Sequence, residues 1–226
     1  MAEPDSISEQ HSRQAEQFYR KPSQARGVAK FDKILDAAHH LIDKQPEREI
    51  SLYDVAEEAG VATGSVYHFF PNIEGIYIAL VERYDRKFAE IIRATEPEQG
   101  VNWQQLLVRH TEASRQYINE HRPALMLIIG PLRTWQSRQV DTIGDAAIAR
   151  AMADNYNQYL VLPESPAAEV ILHHAIRMLE GFWELSFQQH GFVTDEMSAE
   201  TNRAMIAYLR LYWPEYLPIR QVQEKI

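Results

Sequence analysis

The chain has 226 residues, 45% hydrophobic and 24% charged, with a net charge of −9 and no cysteine. Those proportions fill one sizeable core or two small ones, and they exclude disordered, collagenous and coiled-coil fibre classes. The missing cysteine excludes a disulfide framework, a thiolate nucleophile, an Fe–S cluster and any Cys-containing zinc site.

The N-terminal ten residues lack an apolar core segment, and the longest apolar run, Ala124 to Ile129, is far short of the roughly 20 residues that span a bilayer. A soluble, cytoplasmic protein is expected. Charge is unevenly spread. Between Ser12 and Ile34 stand Arg13, Arg20, Lys21, Arg26, Lys30 and Lys33 against only Glu16 and Asp32, an excess of four positive charges that leaves −13 for the remainder. Residues 1–26 read as a flexible basic arm, with Pro22, Ser23 and Gly27 as breakers.

Order is expected from about Ala29, where Phe31, Ile34, Leu35, Ala38, Leu41 and Ile42 form the stripe of an amphipathic helix that Pro46 stops. Ser51 caps a short helix over about 51–58, with Asp54 adding charge near its positive end. Gly60 supplies a tight turn, and a second short helix over about 62–69 ends before Pro71. Asn72 then caps a longer helix.

The chain beyond offers helix after helix, over about 103–120, 123–138, 140–161, 167–190 and 195–213, with no competing strand pattern. Ser165 and Pro166 are expected to cap and open the fourth of these, Gly191 to end it and Thr194 to cap the last. The fold class is all-α, in three parts: the arm 1–26, a three-helix domain 27–86 and a helical domain 87–226.

Two short helices joined by a glycine turn and braced by a longer one make a helix-turn-helix, whose second helix enters the major groove of DNA. Val66, Phe69 and Phe70 are expected in the core with Leu52, Val55 and Ala59. That leaves Ala62, Thr63, Ser65, Tyr67 and His68 toward the groove, three of them with hydroxyls.

Ile34-Leu35-Asp36-Ala37-Ala38, then Leu52 to Val61 with its Val55-Ala56 and Ala59-Gly60-Val61, then Ser65 to Asn72 resemble the TetR family of bacterial transcriptional repressors over about Phe31 to Leu80. The resemblance implies phosphate contacts from Ser51, Tyr67 and Asn72, and groove-facing positions for Ala62, Thr63, Ser65 and His68. Where the family commonly carries a phosphate-reaching lysine after the fourth-helix cap, this chain has Ile73, and the basic arm is the candidate compensation. Residues 1–86 hold 10 basic and 15 acidic residues, so DNA binding would rest on local patches and helix ends.

The same resemblance implies a regulatory domain that binds a small molecule and a homodimer built from the last two helices. Candidate dimer positions are Leu172, Ile176, Leu179, Trp183, Met205, Tyr208 and Tyr212. Candidate effector contacts are Trp103, His110, Tyr117, Met126, Trp135, Tyr156 and His174, a mixture suited to a mainly apolar ligand held by a few hydrogen bonds.

The adjacent pairs His39-His40 and His173-His174 point about 100° apart on a helix, so neither chelates from one face, and no metal site is expected. Neither a nucleophile elbow nor a phosphate-cradling glycine loop is present, so no catalysis and no cofactor are expected. The reading is a ligand-responsive DNA-binding regulator, a repressor by resemblance, binding a palindromic operator as a dimer. A dimeric all-α module that has lost DNA binding is the alternative, and a helical enzyme the third class.

Overall fold

A computed structural model describes residues 17–46, 48–97 and 102–220. Nine helices occupy the described residues: α1 (Ala25–Lys44), α2 (Leu52–Glu58), α3 (Thr63–Phe69), α4 (Ile73–Ala94), α5 (Trp103–Glu120), α6 (Arg122–Ile128), α7 (Trp135–Tyr159), α8 (Ala168–His190) and α9 (Asp195–Leu209). The fold is all-α, with one isolated antiparallel bridge between Leu160 and Ile219. The chain divides into two compact units, one holding the residues up to Tyr84 with His121–Gly144, the other Asp85–Glu120 with Asp145 onward. The first unit therefore takes in α6 and the opening of α7, a grouping that the sequence order does not suggest.

In the first unit, α1 buries Phe31, Ile34, Leu35, Ala37, Ala38 and Ile42, the stripe the spacing predicts. It starts a turn earlier than expected because the carbonyl of Gln24 accepts from Val28 at 2.9 Å, with Gly27 accommodated inside that first turn. The arm also differs from expectation in its described part: Tyr19 is buried. Arg13 and Glu16 lie outside the described residues.

At α2 the Ser51 hydroxyl accepts from the Asp54 amide while the Asp54 carboxylate accepts from the Ser51 amide at 2.8 Å, a reciprocal cap. Ser51→Ala is expected to cost about 1 kcal/mol, measured by urea denaturation. The α2–α3 turn needs Gly60, whose φ of 58° lies in the left-handed region, and it closes with Val61 donating to the Ala56 carbonyl. Asn72 opens α4, its side-chain oxygen accepting from the Gly75 amide at 3.1 Å.

The segment after α5 departs most from the expected helices. One helix over 123–138 and another from 140 are replaced by the short α6, a break over 129–134 and one long α7. Gly130 and Pro131 make the break. Thr134 and Ser137 then start α7 before Val140, because each side-chain oxygen accepts from the other residue's amide, at 2.9 and 3.0 Å. Pro123 lies in the first turn of α6, where its missing N–H costs nothing, and Pro123 through Ile128 are all buried. The side chains of Arg133 and Asp141, 7% and 4% exposed, pair at 2.9 Å.

In the second unit, Trp103, Leu106 and Leu107 of α5, Met152 and Tyr156 of α7, Ile171, Leu172 and Ala175 of α8, and Met205 and Leu209 of α9 form one apolar core with Trp213. Ala149, Ala151 and Ala153 keep α7 slim where it enters that core. Each buried Leu, Ile or Met side chain contributes about 1.5–3 kcal/mol over leaving it in water.

The two ends of the α8–α9 turn are fixed by local chemistry. Gly191 takes φ 79° as the cap of α8, and the Thr194 hydroxyl accepts from the Met197 amide to start α9. Between them Val193 is clipped to α5 on both backbone sides: its amide donates to Asn119 Oδ1 and its carbonyl accepts from Asn119 Nδ2, each at 2.9 Å. α8 begins at Ala168 rather than beside Ser165 and Pro166. Its first turn closes on the Ala167 carbonyl, which accepts from Val170 at 3.0 Å, so Ser165 lies outside the helix it was expected to cap. α9 ends at Leu209, short of the expected Trp213, which folds back buried in the following turn.

Candidate functional site

α3 is anchored from inside. Val66 and Phe69 are buried, as are Phe70 after it and Leu52, Val55 and Ala59 of the preceding helix and turn. The Phe70 ring stacks on Phe31 of α1 with centroids 4.8 Å apart, and Phe69 meets Phe31 edge-on at 5.7 Å. Those contacts fix the rotation of α3, which leaves Ala62, Tyr67 and His68 exposed and Thr63 and Ser65 half-buried. Tyr67 is the large residue of that face, 56% exposed. His68 leans edge-on against Phe69 at 5.0 Å.

The two cap residues are engaged within the protein. The Ser51 hydroxyl donates to Asp54 Oδ2 at 2.6 Å, and Arg48 donates to the other carboxylate oxygen at 2.9 Å. Hydrogen bonds from the Ser51 side chain and amide, aided by Arg48, hold Asp54 below the usual carboxylate range. Asn72 is exposed with its side-chain oxygen on the Gly75 amide. Both caps sit where the sequence reading expects helix N-termini, which carry partial positive charge suited to phosphate.

The candidate effector residues do not gather in one place. Trp103, His110 and Tyr156 come together in the second unit. The Trp103 indole donates to the Pro214 carbonyl at 2.8 Å and meets Trp213 edge-on at 5.4 Å. Tyr156, wholly buried, lies edge-on to both His110 and Trp213, at 5.3 and 5.4 Å. Tyr117 meets Phe88 edge-on at 5.3 Å. Met126 and Trp135 belong to the first unit, Met126 buried and Trp135 exposed. His174 is exposed, its Nδ1 2.9 Å from the Tyr208 hydroxyl.

Sequence reasoning missed two residues of the buried aromatic group, Asn155 and Trp213. Asn155 Nδ2 donates to the Thr95 carbonyl at 3.0 Å, so its Oδ1 faces His110 Nε2, 3.0 Å away, as the acceptor. The network therefore assigns the proton of neutral His110 to Nε2. That leaves His110 Nδ1 as a buried acceptor and Trp213 Nε1 as a buried donor, neither with a hydrogen-bond partner. An asparagine amid the polar residues of α7 carries no signal in sequence, and Trp213 is legible only as a helix-end aromatic.

Burial lowers the His110 pKa to about 4, against a smaller upward pull from Asn155. A histidine depressed in the folded state stabilises the fold fully above its unfolded pKa near 6.5, and that contribution is lost as pH falls through 6.5 toward 4. Guanidinium denaturation is expected to show stability falling by up to about 3 kcal/mol across that window, with His110→Gln removing most of the slope.

Of the seven candidate dimer positions, Leu172, Ile176 and Met205 sit in the apolar core of their own unit and Trp183 is also buried. Leu179 and Tyr208 are half-buried against that core, and Tyr212 is 38% exposed. Burial first, and a hydrogen bond with Tyr212 second, push the Tyr208 pKa up to about 12. In α8 and the segments that follow it, the apolar side chains more exposed than these include Val170, Leu185, Phe192, Leu211, Tyr216 and Ile219. No described helix is long and apolar enough to cross a membrane.

Among solved structures, the chain is similar to a TetR-family transcriptional regulator from Streptomyces coelicolor, with 20% identity over 81% of this chain and 99% of that one and a TM-score of 0.64. It is similar to the fatty acid degradation regulator FadR from Bacillus halodurans, with 16% identity over 87% and 100% and a TM-score of 0.55. It is also similar to SmeT, the repressor of the Stenotrophomonas maltophilia multidrug efflux pump SmeDEF, with 18% identity over 84% and 91% and a TM-score of 0.55. SmeT has been solved in complex with triclosan as well. At these identities the likeness is one of fold. No curated protein matches the chain. Residues 34–80, which hold the end of the α1 stripe, the capped α2, the Gly60 turn, α3 and the start of α4, match the profile of bacterial regulatory proteins of the tetR family. That helix-turn-helix segment is the part of the chain that resembles the tetR family of bacterial regulatory proteins.

Proposed function

We propose that the protein is a cytoplasmic, ligand-responsive transcriptional repressor that binds a palindromic operator as a homodimer and has no catalytic role. The observation that carries this reading is the split character of α3, with Val66 and Phe69 locked against α1 and α2 while Ala62, Tyr67 and His68 stand exposed. A helix anchored that way presents short and hydrogen-bonding side chains to base edges and the Tyr67 hydroxyl to a phosphate. Ser51 and Asn72 add contacts at the starts of α2 and α4, the Ser51 hydroxyl exchanging Asp54 for a phosphate oxygen when DNA arrives. Leu179, Tyr208 and Tyr212, with the exposed apolar side chains of α8 and the segment after α9, supply surface for the second copy.

The effector in this reading is a mainly apolar molecule bearing a hydroxyl. His110 Nδ1 offers a buried acceptor and Trp213 Nε1 a buried donor, both rings edge-on to Tyr156, and a ligand hydroxyl can pair with either. The ligand acts by favouring a conformer whose two recognition helices no longer match successive major grooves, roughly 34 Å apart.

Fluorescence anisotropy against DNA from upstream of the protein's own gene and against a shuffled control, across a salt series, tests the reading. Specific binding that weakens with salt, and weakens further in Tyr67→Phe and Thr63→Ala, is expected. Retained dimerisation with no specific binding to any sequence selected from random DNA would instead establish the interaction module. Triclosan, the ligand of the SmeT complex, is a suitable hydroxylated probe for tryptophan fluorescence, with His110→Leu as the control expected to weaken any response.

A further inference from the structure

From Val61 to Glu82 the chain contains no lysine or arginine, so α3, its exit at Pro71-Asn72 and the first turns of α4 bring no permanent positive charge of their own. Phosphate contacts by Lys and Arg supply most of the salt-dependent affinity of DNA-binding proteins. The cation has to be delivered from another part of the fold, and the segment ahead of α1 delivers one. Arg20 donates its backbone N–H to the carbonyl of Phe69, the last residue of α3, at 2.8 Å. Its side chain is exposed and joins no ion pair among the described residues.

The segment is built into place rather than laid on the surface. Tyr19, buried, sets its ring 5.5 Å from Phe31 and 5.8 Å from Phe70, the same aromatic cluster that fixes α3. Its hydroxyl donates to Glu82 Oε2 at 2.6 Å, and Lys21 reaches the same oxygen at 3.3 Å. Glu82 is only 5% exposed, and a buried carboxylate is costly unless paired, so the acid and the two arm residues depend on one another. Gly75, in the first turn of α4, lets the Phe18 carbonyl come close: a Cβ there would sit 2.4 Å from that oxygen. These contacts hold residues 18–21 across the junction of α3 and α4.

Resting on the reading of the chain as a DNA-binding regulator, we infer that Phe18–Lys21 is a latched DNA-backbone element in which Tyr19 and Glu82 position Arg20 to contact a phosphate beside the exit of the recognition helix. Lys21 is spent on Glu82, and Arg20 carries the contact. As a phosphate contact it acts alike on every sequence and shifts the salt dependence, whereas a base contact would shift specificity.

The test is anisotropy with the full chain over a salt series on operator and shuffled DNA. Arg20→Ala is expected to weaken both complexes by a similar factor and to reduce the slope of log K against log salt by about 1 for each subunit bound, with Arg20→Lys restoring most of it. Glu82→Gln, checked for an unchanged helical circular dichroism spectrum, is expected to lower affinity in the same direction because the latch loses its charge on Lys21. An Arg20→Ala slope equal to that of a salt-sensitive parent overturns the latch while leaving the regulator reading intact. A parent with no salt-sensitive DNA binding overturns both.

Discussion

Trp103→Ala is expected to destabilise the second unit by about 3–5 kcal/mol, enough to consume much of the 5–15 kcal/mol that holds an ordinary domain together. The side chain is fully buried at the head of α5, and its loss removes an indole's worth of packing. It also strips the hydrogen bond that ties Pro214 to α5 and the edge-on contact that seats Trp213. Trp103→Phe keeps most of the volume and loses the indole donor, so it is expected to cost less, about 1–3 kcal/mol, dominated by the unpaired Pro214 carbonyl. Thermal denaturation followed by tryptophan fluorescence separates the two variants, and equal melting temperatures for Trp103→Ala and parent would show that the Trp103–Trp213 pair is not what holds the segment after α9.

The second large effect belongs to the first unit. Phe70→Ala is expected to cost about 3–5 kcal/mol, because Phe70 is fully buried and touches three other aromatic rings, Phe31 at 4.8 Å, Tyr19 at 5.8 Å and Phe69 at 6.4 Å. Part of that cost is the geometry-dependent attraction between rings, about 0.5–1.5 kcal/mol a pair beyond area alone. Since the cluster sets how α3 is rotated, DNA affinity is expected to fall more than the loss of folded protein accounts for. Phe70→Leu, which refills most of the space, is the comparison. A Phe70→Ala protein whose residual folded fraction binds DNA as tightly as the parent would mean that α2 and the Gly60 turn alone orient α3.

What sequence made legible was whatever depended on a single local rule. The α1 stripe, the Ser51 and Asn72 caps, the Gly60 turn and the inward face of α3 each follow from one short pattern, and each is found where that pattern places it. The misreadings share a different cause. Thr134 and Ser137 cap each other, but Thr-x-x-Ser is too short a pattern to stand out, so the expected helices run over 123–138 and from 140 where the protein instead breaks at Gly130-Pro131 and starts α7 at Trp135. The Ser165-Pro166 pair looks like a cap and a first helical residue, yet the turn closes on Ala167 one step beyond it.

The candidate effector residues share one trait, aromatic or polar on an apolar face, and the candidate dimer residues another, their place on the last two apolar helices; neither trait reveals partners. Trp135 and His174 are exposed, Met126 joins the other unit, and Leu172, Ile176 and Met205 serve their own core. Asn155, which sets the tautomer of His110, could be found only from its two hydrogen bonds. Tyr19 was hidden for a similar reason: its place depends on Glu82, 63 residues away, and no local periodicity reports a contact of that span.

The double clip of Val193 by Asn119 bears on anyone who would splice foreign sequence into this chain. Turns between helices are the customary sites for inserting an epitope or a reporter, and Gly191-Phe192, exposed and short, looks like an inviting one. But the amide and carbonyl two residues on are both held by Asn119 of α5, the carbonyl by Arg115 as well, and the Ser186 hydroxyl spans the same turn by donating to Phe192 and accepting from Thr194. An insertion there would have to unfasten the α8–α9 corner from α5, and its amides should be among the slowest turn protons to exchange with deuterium.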